Sequence, residues 1–144
     1  MANTIKNLNK NFRVDASEPA ATSREIDALK NFSPIPPPDD YLEIVEQATS
    51  IEICIGNGQY IRIWGPKDCV ELNHEYEVQK YIKSSLAVGD DEGGNLLIIM
   101  AADKGHGLYK VSGGDLDAGS AQFVSESLTS LLIHGQGADV FWGP

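Results

Sequence analysis

Residues 51 to 64, "IEICIGNGQYIRIW", constrain the fold more than any other stretch of the chain. Apolar and polar residues alternate on both sides of "GNG", and a period of two places successive side chains on opposite faces of a strand. Two such runs joined by a glycine–asparagine–glycine bend signal an antiparallel hairpin. Ile51, Ile53 and Ile55 share one face of the first strand, and Ile61 and Ile63 share one face of the second. The chain must therefore cover at least one apolar sheet face.

The flanking patterns say what covers it. "SREIDALKNF" starts with Ser23, a good N-cap, and spaces Ile26, Leu29 and Lys30 as a helix does. Prolines 34, 36, 37 and 38 then force an extended segment, because each fixes its own φ and restricts the residue before it. Pro38 suits the first helical position, with Asp39 and Asp40 at the positive end of the helix dipole. Tyr41, Leu42, Ile44, Val45 and Ala48 form the apolar face of that helix, which leaves Glu43 and Glu46 on its exposed side.

Beyond the hairpin, Pro66 opens a helix anchored by Val70 and Leu72. "SLAVG", "NLLIIMA" and "GLYKVSGGD" read as strands. The run from Asp117 to Gly137 spaces Val124, Leu128, Leu131 and Leu132 as a closing helix, ended by Gly135 or Gly137. Residues 1 to 22 are polar, carry Lys6, Lys10 and Arg13 ahead of any acid, and read as an arm lying on the body. Residues 23 to 144 form one domain. The order of elements predicts an α+β fold, a central and mainly antiparallel sheet with helices packed on one side.

Charge narrows the function. The net charge is −10, with five basic and four acidic residues up to position 38 and six basic against seventeen acidic after it. An acidic body repels nucleic acid and favours basic partners through long-range steering. No apolar run approaches the roughly 18 residues of a membrane span. "MANTIKNLNKNF" lacks the apolar core of a secretory signal, so a cytoplasmic protein is expected. Cys54 and Cys69 are the only cysteines and read as two reduced thiols, Cys54 as a small buried hydrophobe within a strand, though a disulfide between them stays open.

Chemistry is harder to place. "GDDEGGNLLIIM", residues 89 to 100, sets three carboxylates and three glycines beside an apolar run. A calcium loop needs oxygens at alternating positions and a closing glutamate, which "LLIIMAA" does not supply. Two catalytic carboxylates must face one reacting bond, whereas Asp90, Asp91 and Glu92 are adjacent and diverge. The knot reads as a turn between strands, its glycines supplying positive φ. His74, His106 and His134 match no zinc spacing, and no nucleophile elbow, dinucleotide fingerprint or P-loop occurs. A small hydrolase or metal enzyme would have to be assembled from His74, His106 and nearby acids. No catalytic residue, cofactor or metal is expected.

The order of the pieces resembles the SUKH superfamily, which includes the yeast Smi/Knr cell-wall regulators and many bacterial proteins. "PPPDDYLEIVEQ", the "GNG" hairpin ending "IRIWGPKDCVELN", "LAVGDDEGGNLLIIM", "GHGLYKV", "DLD" and a terminal helix follow one another as in that superfamily, over about residues 23 to 134. Pro38, Asp40, Tyr41, Trp64, Gly89, Asp90, Gly93 and Gly94 stand at matching places. The chain departs from the pattern after the second helix, where it lacks a long polar loop that many members carry. The resemblance implies an α+β fold without enzymatic activity, and a bacterial immunity protein that binds and neutralises a toxin, such as a basic nuclease. On that reading the contact draws on Asp90, Asp91 and Glu92 at the knot, with Glu43 and Glu46 on the exposed helix. A regulator or scaffold with several protein partners, like the yeast members, is the other expectation. The aromatic tail, with Phe141 and Trp142, is either tucked onto the body or a homodimer contact.

Overall fold

The computed structural model describes residues 3–142. Seven strands lie side by side in the order in which they occur in the chain, each antiparallel to the next. They are β1 (Arg13–Glu18), β2 (Thr49–Cys54), β3 (Tyr60–Ile63), β4 (Leu86–Asp90), β5 (Asn95–Ala102), β6 (Gly105–Ser112) and β7 (Gln122–Ser125). Helices α1 (Ser23–Phe32) and α2 (Asp39–Val45) separate β1 from β2; α3 (Pro66–Glu75) and α4 (Val78–Tyr81) separate β3 from β4; α5 (Leu128–Leu132) follows β7. The fold is α+β, with an antiparallel sheet.

The hairpin forms as its pattern requires. Ile51 pairs with Ile63 and Ile53 with Ile61, and all four are buried, while Glu52 faces Arg62 on the other side of the ribbon. Burying each such side chain contributes about 1.5–3 kcal/mol. β5 differs, because Leu96 to Met100 are buried without a break, so the middle of the sheet is covered on both faces. Gly89 in β4 is obligatory: a Cβ there would sit 2.2 Å from the Arg62 carbonyl oxygen of the neighbouring strand.

Several elements differ from expectation. Thr22, not Ser23, caps α1: its side chain accepts from the Glu25 N–H, and the Glu25 carboxylate accepts from the Thr22 N–H. Pro38 is the N-cap of α2, so Asp39 is its first residue. Within the polar arm, residues 13 to 18 form an edge strand exposed along its whole length, held by its ladder with β2. The expected closing helix is a strand in its first half: Gln122–Ser125 pair with β6, and Ser127 caps the short α5. Phe141 is buried, so the aromatic tail is tucked onto the body, and Trp142 alone keeps its ring partly in solvent.

Candidate functional site

The residues of the β4–β5 turn divide by where their carboxylates point. Asp90 Oδ2 accepts from the Trp64 indole N–H at 2.7 Å, and its Oδ1 accepts from the Glu92 N–H at 2.8 Å. Asp91 Oδ1 accepts from the N–H groups of Gly93 (2.8 Å) and Asn95 (3.0 Å), and its Oδ2 accepts from the Asn95 side-chain amide at 2.8 Å. Short acidic side chains bonding to backbone N–H groups a few residues on are what close such turns. Asp90 and Asp91 therefore hold the turn together.

Glu92 is the residue turned outward. It adopts φ 58°, a left-handed backbone that few residues other than glycine occupy. The sequence reading reserved that conformation for the glycines, of which Gly94 takes it at φ 97°. The Glu92 carboxylate lies 3.5 Å from the Arg62 guanidinium, which also reaches Glu52 at 3.2 Å. One arginine thus serves two glutamates. Partial burial and the neighbouring Glu52 push the Glu92 carboxyl above its usual range, while Arg62 pulls it back. Four carboxylates and one guanidinium leave this corner of the sheet strongly anionic. Sequence reasoning did not include Glu52 or Arg62, although the "GNG" bend fixes the register that places them opposite each other.

The two helical candidates behave differently. Glu43 is not exposed: it is only 9% accessible and accepts from the Thr4 N–H at 2.9 Å. It also accepts from the Gln47 side-chain amide. The N-terminal segment covers the α2 face that a single-helix pattern assigns to solvent. Glu46 is exposed and lines a shallow depression with Ala21, Ser23, Ile26, Asp27 and Lys30, none of which belongs to the β4–β5 turn. The structure does not unite the five candidates in one site. It leaves Glu92 as the accessible centre of the knot, with Glu52 beside it.

The residues that carry the motif resemblance have structural work of their own. The Tyr41 hydroxyl, buried in α2, donates to the Trp64 carbonyl at 2.6 Å, and the Trp64 indole in turn donates to Asp90. Asp40 accepts from the N–H and hydroxyl of Thr129 in the first turn of α5, at 3.0 and 3.2 Å. A chain of hydrogen bonds therefore runs from α2 through the end of β3 to the acidic turn.

His74 is exposed and tilted against Phe32 at 4.7 Å between ring centroids, and His106 is exposed at the start of β6. Among the described residues no group of three His, Cys, Asp or Glu side chains could hold a metal ion. Cys54 and Cys69 are both buried and unpaired. Burial pushes the Cys69 thiol up to about 12, far from a nucleophilic thiolate. Among the described residues no helix is long and apolar enough to cross a membrane. No protein-family model matches the chain, and no curated protein matches it significantly in sequence. The SUKH likeness of its motif order rests on the residues quoted for it.

Proposed function

We propose that the chain is a non-catalytic binding protein that neutralises a basic protein toxin by direct contact, as bacterial immunity proteins of the SUKH type do. The observation that carries this reading is the outward-turned Glu92 beside Glu52, two carboxylates sharing one arginine on a body of net charge −10. An incoming lysine or arginine relieves the crowding between those carboxylates, and the surrounding negative field steers it in. A toxin that cleaves nucleic acid has a basic cleft for phosphates, which is the complementary surface. Glu46 belongs to a second exposed patch and adds to the field. Glu43 is removed from the contact by its burial.

The test is recovery of partners from a lysate of the source, at low and at high salt, using tagged protein. One small basic protein, held at low salt and released at high salt, supports the reading. Several partners that resist salt overturn it in favour of a scaffold. With the recovered partner in hand, a double charge reversal of Glu52 and Glu92 to lysine should slow association at least tenfold and flatten its salt dependence. An unchanged on-rate would remove this corner from the interface.

A further inference from the structure

A cavity of about 540 Å³ lies where three distant segments meet: residues 9–12, the 55–57 bend of the hairpin and residues 134–142. We propose that it is a binding site for a neutral sugar ring, separate from the acidic corner. Its walls are fixed. The Asn9 N–H donates to the Leu132 carbonyl at 2.8 Å and its side-chain amide to the Ile133 carbonyl at 3.1 Å, which ties the first segment to the end of α5. The Trp142 indole N–H donates to the Ile55 carbonyl at 3.2 Å, so the ring is pinned to the hairpin while 39% of the residue stays accessible. Gly56, at φ 93° in the hairpin bend, lies against the edge of that ring.

The chemistry of the lining selects the ligand. Asn11, Asn57, His134 and Asp139 are exposed in or at the rim of the cavity, and their side chains make no hydrogen bond among the described residues. Together they present amide donors, amide and carboxylate acceptors and an imidazole. No lysine or arginine lines the cavity, so a phosphate or carboxylate ligand finds no counter-charge. A cation would satisfy Asp139 and the indole but leave the amide donors unused, because a cation accepts no hydrogen bond. A nucleic acid strand meets the repulsion of the whole body. A pyranose answers every group present: its hydroxyls both donate and accept, and its C–H face stacks on the Trp142 ring. The volume lies within the usual range of small-molecule sites and holds one or two such rings.

The experiment is titration of the full chain, labelled with ¹⁵N, against four neutral pyranosides: methyl glucoside, methyl galactoside, methyl mannoside and methyl N-acetylglucosaminide. At least one should move the Trp142 indole N–H and the Asn11 and Asn57 side-chain amides saturably, with a Kd of about 1–10 mM, ordinary for a binding energy near 3–4 kcal/mol. Asp139→Ala and Asn11→Ala should each weaken that binding at least fivefold without lowering Tm, since neither side chain makes a hydrogen bond among the described residues. The proposal is overturned if none of the four sugars gives a saturable shift at these groups. It is equally overturned if N-acetyl-lysine methylamide or adenosine gives one and the sugars do not. Toxin recovery plays no part in this readout, so either proposal can fail alone.

Discussion

Helix α2 and the β4–β5 turn are the two acidic runs of the chain, and they treat their carboxylates alike. At α2, Asp40 accepts from Thr129 in the first turn of α5 and Glu43 holds the Thr4 N–H, while Glu46 at the helix end stays outside. In the turn, Asp90 takes the Trp64 indole and Asp91 takes three N–H donors, while Glu92 stays outside. Each run gives two carboxylates to the fold; the turn leaves Glu92 outside, and the helix leaves Asp39 and Glu46. The difference lies in what surrounds them: Glu92 has a second glutamate against a shared arginine, whereas Glu46 sits at the rim of a depression with Lys30.

The comparison breaks first at Asp91. Its replacement by alanine removes the acceptor of three hydrogen bonds and should cost about 2–3 kcal/mol in urea unfolding. A cost below ~0.5 kcal/mol would mean the turn closes without it. Glu43→Ala leaves the buried Thr4 N–H unsatisfied and should cost about 1–3 kcal/mol, with no effect on association with a basic partner. If Glu43→Ala instead slowed association while stability held, the division between internal and external acids would be wrong.

Two smaller effects sharpen the contrast. Thr4 Oγ1 is buried with no partner among the described residues, so Thr4→Val should raise stability by about 1 kcal/mol. Glu92→Gln should raise Tm slightly at neutral pH and leave it unchanged below about pH 4. The fold binds the Glu92 proton more tightly than the unfolded chain does, so its contribution is favourable at low pH and is lost as pH rises through the raised value. Glutamine keeps the neutral state throughout. A Tm gain that persisted to acid pH would assign the effect to packing instead.

How far the sequence could be read depended on where each residue finds its partner. The hairpin was legible because alternation and the "GNG" bend set both faces and register locally. β1 was not, since "RVDASE" offers only Val14 and Ala16 as apolar residues, both exposed, and becomes a strand only through its ladder with β2. β7 was hidden by Val124, whose spacing from Leu128 and Leu131 continues a helical pattern that the Ser127 cap interrupts. The same distance effect governs the site. Adjacent acids at 90–92 were visible as a turn, but which of them faces inward depends on Trp64, twenty-six positions earlier. Glu43 was misplaced because its cover, Thr4, lies thirty-nine positions away.

The strictly sequential order of the strands bears on how the molecule assembles. Every ladder from β2 to β6 joins strands that are consecutive in the chain; the β2–β3, β4–β5 and β5–β6 hairpins close over short loops, and only β3–β4 must wait for the α3–α4 crossover. The tie between Asn9 and the Leu132 carbonyl is the opposite kind of contact, spanning nearly the whole chain. A polypeptide emerging from the ribosome can thus build the middle of its sheet early, with the exposed Glu52–Arg62 pair already in register. The cavity between residues 9–12, the hairpin bend and residues 134–142 is completed only when the last segment arrives.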